Sequence, residues 1–377
     1  MDFTFTEEQQ AAVEAARAVF ADVAPDSVPS PALTRGAVAE DFDRPLWSHL
    51  SATGLLALTV SPDHGGAGLD PVALCLVLRE SARVLARVPL LETSAVAMTI
   101  ERYAPRATAA RLLPRVGRGE LVLTAASQGR TGHEPAESAV TARRDGDGWI
   151  LDGRQTGVPW AHRADLIAVP AHTADGHTVL ALSPRAHPGL GLAAQYSTHG
   201  ELLAELSLDS VRLDAADVID AEGAWERLRG LLTTGTCALA LGLGEAVLTM
   251  TSRYTGTREQ FGHPVATFQA VAVQAADRYI DLRAMEVTLW QAAWRLGTDA
   301  EAPLPVAGDI AVAKIWASEG VRRVVQTAQH LHGGVGADTD YPLHRYHAWA
   351  KYLELCLGPA PAHEEALGDL LAAHLLG

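Results

Sequence analysis

The chain has 377 residues, 48% of them apolar, which is more than one hydrophobic core absorbs, so two or three domains are expected. A formal charge of −15 and a pI near 5.4 exclude the clustered Lys and Arg of a nucleic-acid or anionic-membrane surface. No uninterrupted apolar run approaches the roughly 18 residues of a membrane span, the start Met1-Asp2-Phe3-Thr4-Phe5-Thr6 lacks the basic and apolar regions of a signal peptide, and Cys75, Cys237 and Cys356 have neither disulfide-framework nor metal spacing. A cytoplasmic protein with reduced core thiols is expected.

In chain order the pattern is helix, strand, helix. Thr6 before Glu7 and Glu8 suits an N-cap, and Val13, Ala16, Val19 and Phe20 form an apolar stripe. Helical periodicity continues to about Leu121, broken at Pro62, Gly65, Gly66 and Gly68. Short runs at 121–124, 139–142, 149–151 and 166–169 then read as strands, with hairpin-type turns at Asp145-Gly146-Asp147-Gly148 and Asp152-Gly153, which predicts a compact antiparallel barrel or sandwich. Helices return at about 225–257, 264–296, 305–334 and 342–375, enough for a four-helix bundle, with 299–305 as an inter-helix loop. The expected class is α+β, divided as an N-terminal helical domain (1–120), a middle β domain (121–222) and a C-terminal bundle (223–377).

Two local patterns point to a ligand. Arg258-Glu259-Gln260-Phe261-Gly262-His263-Pro264-Val265-Ala266-Thr267-Phe268-Gln269 ends a helix with a guanidinium fork suited to a pyrophosphate and an aromatic able to pack on a ring. Gly333 and Gly334, within His332-Gly333-Gly334-Val335-Gly336, allow close approach of backbone to a ligand. A plain inter-helix turn with a capping arginine and two loop glycines is the alternative. Both segments, with Tyr341-Pro342-Leu343-His344-Arg345-Tyr346 and Pro62-Asp63-His64-Gly65-Gly66-Ala67-Gly68-Leu69, resemble the R-x-Q-F-G, HGG-x-G, P-h-R-y and P-x-x-GG-x-G signatures of the acyl-CoA dehydrogenases. That resemblance spans the chain and implies a helical domain, a middle antiparallel β-barrel and a four-helix bundle. It also implies FAD lying across a subunit boundary.

The resemblance is uneven. Arg258, Gln260, Phe261, Gln269, Gly333 and Gly334 match the side that contacts the ADP half of FAD, with His330 where a glutamine is expected and Gln329 beside it. The flavin-ring side departs: Thr124-Ala125-Ala126-Ser127-Gln128-Gly129-Arg130-Thr131 stands for T-E-P-x-A-G-S-D, Gly157-Val158-Pro159-Trp160 for W-I-T-N, and Leu357-Gly358-Pro359 for E-G-T. Leu357 therefore occupies the position of the catalytic glutamate. The other stations used for that base fall near Leu232 and Leu239, on one helix face and both apolar, so no catalytic residue is assigned. Glu226, Glu245 and Glu354 match no base station and are expected to be solvated or capping residues. This unevenness resembles the base-lacking subunit of the heteromeric α2β2 acyl-CoA dehydrogenases of actinobacterial steroid degradation, which implies a homologous partner that supplies the glutamate and an acyl-CoA substrate. Two alternatives stay open: a homo-oligomeric flavoprotein of the same fold with monooxygenase-like chemistry, and a structural subunit that binds no flavin. Metal binding by His330 with His332, or His344 with His347, lacks a third ligand.

Overall fold

The structure, a computed structural model, describes residues 4–25, 37–39, 41–131, 139–298, 300 and 302–374. Met1 to Phe3, Asp299 and Glu301 of the expected loop, and residue 375 of the last expected helix lie outside the described residues. Helix α1 (Glu7–Phe20) starts at Thr6, whose hydroxyl accepts from the Gln9 amide while the Gln9 side chain accepts from the Thr6 amide. This reciprocal capping box fixes the first turn through Gln9. Ala12, Ala16, Val19 and Phe20 are buried, and Val13 packs at the margin. Helices α2 (Arg44–Ala52), α3 (Pro71–Arg83), α4 (Leu90–Tyr103) and α5 (Arg106–Gly117) complete the first segment.

The β segment comprises β1 (Leu123–Ala125), β2 (Val140–Asp145), β3 (Gly148–Pro159), β4 (Leu166–His172), β5 (Thr178–Pro184), β6 (Leu190–Tyr196), β7 (Leu202–Asp214) and β8 (Val218–Ile219). Its order is β6-β7-β3-β2-β4-β5-β8, with β1 added parallel to β4. The expected barrel is not closed. β6 and β8 end the order and do not pair with each other, and β2 meets β4 through the single parallel pair Thr141 and His172. β8 is two residues long and pairs with β5 at only Leu180 with Ile219 and Ala181 with Val218, a short ladder for β6 to close on, and β5 packs against α6 (Ala224–Thr257). The Asp145–Gly148 hairpin is present, closed by the pair of those two residues. Asp152-Gly153, expected as a turn, lies inside β3. There the register to β7 shifts between Leu151 and Gly153, and a Cβ at Gly153 would stand 2.4 Å from the Ala139 carbonyl oxygen. The glycine marks a bulge with close backbone approach.

The remaining helices are α6, α7 (Gln269–Gly297), α8 (Val306–His332), α9 (Leu343–Leu355) and α10 (Ala360–Ala373). Between α6 and α7 runs a small hairpin, β9 (Glu259–Gln260) and β10 (His263–Pro264). The fourth expected helix is broken in two. Leu357 and Gly358 take φ of +59° and +97°, and Pro359 follows, so the helical hydrogen-bond ladder cannot pass 356–359. One hydrophobic core runs from α1 through α6 to α9, so the two helical ends of the chain share it, while the β segment has its own. Helix α6 contains an 18-residue window with hydropathy of 1.6, long and apolar enough to cross a membrane although no uninterrupted apolar run does so. The window is 78% buried among the other helices. It is a core helix by packing, and at Gly242 a Cβ would meet the Arg79 carbonyl oxygen at 2.0 Å, so α3 and α6 touch backbone to backbone.

Candidate functional site

Arg258 ends α6 with its amide still bonded to the Tyr254 carbonyl at 2.8 Å, and the chain turns at once into the β9–β10 hairpin. Phe261 and Gly262 form the turn with φ of +54° and +79°. Glycine takes this left-handed geometry freely, whereas a bulky aromatic pays about 1–2 kcal/mol for it. The Phe261 ring is 91% exposed and meets Phe268 edge-on at 6.4 Å. Arg258, Gln260, Gln269, His330, Gly333 and Gly334 are exposed as well, and a Cβ at either glycine would meet nothing within 4 Å.

These residues are gathered by a ring stack that sequence reading missed. Tyr254, one turn before Arg258, lies on His332 at 4.5 Å between centroids, and its hydroxyl donates to the His332 carbonyl at 3.5 Å. His332 Nδ1 lies 2.8 Å from the Ala328 carbonyl, which can only accept, so Nδ1 carries the proton and Nε2 accepts from the Tyr341 hydroxyl at 3.0 Å. Both nitrogens are engaged, which leaves no lone pair for a metal. Burial also holds the ring below the usual histidine range, and therefore neutral. The stack brings the ends of α6 and α8 together, so the Arg258 segment and the Gly333-Gly334 turn occupy one end of the helices. Gln329 donates to the Gly333 carbonyl at 3.0 Å and is committed inward; His330 beside it is the exposed side chain. An aromatic four residues before Arg258 was the available signal.

The three segments that depart from the ring-side pattern also meet. Thr124 donates from its hydroxyl to the Pro159 carbonyl at 2.6 Å, and the buried Gln128 reaches Cys356 and Leu357. Leu357 is 4% exposed. Trp160, at a strained φ of +58°, donates its indole N–H to Glu92 at 3.1 Å. Glu92, Trp160, Leu239, Leu353, Tyr352 and Cys356 help line a cavity of about 70 Å³. Burial raises the Glu92 carboxyl to about 7, against the lowering by its backbone and Trp160 hydrogen bonds. Leu232 is buried in the core.

Lys314, fully buried, donates to Ser318 Oγ at 2.9 Å and to the Leu353 and Glu354 carbonyls at 2.9 and 3.1 Å, so one ammonium caps the C-terminal end of α9 beside the Leu357 turn. A lone lysine among alanines on a helix face was its sequence signal. Glu245 is not solvated as expected: its carboxylate accepts from Arg79 Nε at 2.8 Å and pairs with Arg83 at 3.1 Å, tying α6 to α3. Glu226 does stand exposed in the first turn of α6, and Glu354 pairs with Lys351.

Residues 6–120 match the model of the acyl-CoA dehydrogenase N-terminal domain, and residues 232–371 that of the C-terminal domain. Acyl-CoA dehydrogenase FadE27 of Mycobacterium tuberculosis is 36% identical over 99% of both chains. The chain belongs to the acyl-CoA dehydrogenase family. It superposes with a TM-score of 0.90 on a chain of the ChsE4-ChsE5 complex from Mycobacterium tuberculosis, at 34% identity and 99% of both chains. With a single-substitution variant of the Tcur3481-Tcur3483 steroid ACAD the TM-score is 0.88, at 36% identity over 97% of this chain and 98% of that one. As an acyl-CoA dehydrogenase it is an oxidoreductase acting on CH–CH bonds, of a family whose cofactor is FAD.

The Arg258 end of the helices fits FAD. The exposed Arg258 fork, the projecting Phe261 ring and the open Gly333-Gly334 turn have the chemistry for a pyrophosphate and its adenosine. At the other segments Gln128 bonds Cys356 and Leu357, and the Leu357 side chain offers no proton acceptor.

Proposed function

We propose that this acyl-CoA dehydrogenase is the base-lacking subunit of a heteromeric, α2β2 enzyme that introduces an α,β double bond into an acyl-CoA. On this reading Arg258, Gln260, Phe261, Gln269, His330, Gly333 and Gly334, all in the third of the three domains (223–377), hold the ADP half of an FAD whose ring lies in a homologous partner. The partner also supplies the glutamate that takes the α-proton, and FAD when bound accepts the hydride from the β-carbon. The observation that carries the reading is the contrast within the chain. Its ADP-side residues are all exposed at one end, with Phe261 held outward in a strained turn, while Leu357 is buried and its amide bonds Gln128.

The surface supports a partner of the same fold. Val273, Ile280, Val287 and Trp294 recur every seven residues along α7 and are 53, 63, 51 and 39% exposed, a continuous apolar stripe of the kind that marks an interface between helices. The ChsE4-ChsE5 complex and the Tcur3481-Tcur3483 steroid ACAD are both named as pairs of chains, which supports a heteromer and a steroid-derived acyl group here. Cytoplasmic residence accords with the reduced cysteines. The test is the flavin-to-chain ratio by absorbance, for the chain purified alone and with a co-expressed partner. A colourless chain that gains flavin with a partner is the expected result; one FAD per chain in isolation overturns the split site and favours a self-sufficient flavoprotein.

A further inference from the structure

We infer that Tyr254, His332 and Tyr341 are positioning residues for FAD: their ring stack sets the Gly333-Gly334 turn against the Arg258 segment, so that both meet the cofactor together. The inference rests on the reading that these two segments hold the ADP half. Three helix ends converge on the stack. Tyr254 lies in the last turn of α6, His332 ends α8, and Tyr341 stands two residues before α9. Ring centroids are 4.5 Å apart from Tyr254 to His332, 5.2 Å from His332 to Tyr341 and 6.4 Å from Tyr254 to Tyr341, so each ring neighbours the other two. His332 is buried at their centre and the tyrosines are half-buried around it.

From the stack, hydrogen bonds lead to both ligand-side segments. The Tyr254 carbonyl accepts from the Arg258 amide at 2.8 Å, and the Arg258 carbonyl accepts from the Val265 amide at 2.8 Å. The backbone from which the guanidinium projects is thus tied to the stack on one side and to the far end of the β9–β10 hairpin on the other. On α8, His332 immediately precedes Gly333, and its imidazole is held at both nitrogens, Nδ1 donating to Ala328 and Nε2 accepting from Tyr341. Gly333 then leaves the helix at φ +59° and ψ −134°, a conformation open to glycine. A Cβ at Gly333 or Gly334 would meet nothing within 4 Å, so no packing on the glycines themselves holds the turn. Its place is set from its flanks, by His332 and by the Gln329 amide on the Gly333 carbonyl. Groups held in the geometry a ligand needs bind it more tightly, because less freedom is lost on binding. A stack that only closed the helix ends would affect stability alone, whereas a positioning stack acts on flavin retention and does so through Arg258.

The test is a double-mutant cycle in the complex with the co-expressed partner, read as the dissociation constant of FAD by equilibrium dialysis. Tyr254→Leu should raise that constant by about tenfold, the equivalent of one aromatic pair, and Tyr254→Phe, which keeps the ring, should recover most of the loss. In an Arg258→Ala background the same Tyr254→Leu change should cost less than about threefold, because the group it positions is gone. Losses that simply multiply, no recovery with phenylalanine, or wild-type retention in Tyr254→Leu overturn the inference, however far the Tm falls. Tyr341→Phe leaves all three rings in place and covers the case in which Tyr254→Leu does not fold. It strips His332 Nε2 of its donor and should weaken FAD retention by about threefold or more; unchanged retention sinks the idea. One FAD per chain in the isolated wild type refutes the split site, whereas a colourless chain whose complex shows independent losses refutes only the role of the stack.

Discussion

Leu357→Glu restores the residue type that the family pattern places before Gly358, and we predict that it restores no dehydrogenation. Leu357 is 4% exposed, so the substitution forfeits much of an apolar burial worth about 1.5–3 kcal/mol. The incoming carboxyl meets groups already engaged, because Gln128 bonds the Leu357 amide and His363 bonds its carbonyl. Leaving a buried carboxyl without partners adds about 1–3 kcal/mol, for a total of roughly 2.5–6 kcal/mol. Burial raises the folded-state pKa of the new glutamate above its unfolded value near 4.5, so the unfolded chain ionises first and stability falls as pH rises. Urea unfolding at pH 5 and pH 8 should therefore show a deficit that widens at pH 8, in a chain that still binds no flavin of its own. A variant within about 1 kcal/mol of wild type at pH 8 that carries flavin unaided would refute the reasoning, since it would mean that the ring pocket opens around the glutamate.

Arg258→Ala should leave the Tm of the chain unchanged, because the side chain is exposed, yet weaken FAD retention in the complex by roughly 1.5–3 kcal/mol, read by equilibrium dialysis. Phe261→Gly should act with opposite signs, stabilising the isolated chain by up to about 1 kcal/mol through relief of its positive φ while impairing flavin retention; a destabilised variant argues against strain at that turn. Glu92, raised to about 7, favours a neutral folded state, so its contribution is fully present below pH 4.5 and is lost as pH rises through 7. The full shift corresponds to about 3 kcal/mol, less where the cavity admits water, and Glu92→Gln should flatten that part of a stability-against-pH curve. Lys314→Met should cost about 2–4 kcal/mol in urea unfolding by leaving the Leu353 and Glu354 carbonyls uncapped, whereas a neutral effect would mean that the buried ammonium is replaceable by packing alone.

Periodicity alone placed the helical ends of the chain and runs that overlap β1 to β4, because the change from a helical to a strand period near residue 121 is a local property of side-chain spacing, whereas β5 to β8 were not located individually. Local chemistry also exposed what is missing: Leu357, Leu232 and Leu239 have no lone pair to take a proton, whatever the fold does with them. The open sheet was not legible, since closure depends on which strand edges meet. Nor was the bulge at Gly153, where the same Asp-Gly pair that makes a turn elsewhere is held extended by β2 and β7.

Residue types at fixed spacing were enough to reveal the family and an uneven match to its pattern, close at 258–269 and 332–336 and poor at 124–131, 157–160 and 357–359. The partners of those residues came from the fold. Gln128 and Leu357 are brought within hydrogen-bond reach across more than two hundred residues, as are Tyr254 and His332 across 78, and contacts of that range have no local period to betray them. A residue type states what a side chain is able to bond; folding alone chooses its partner.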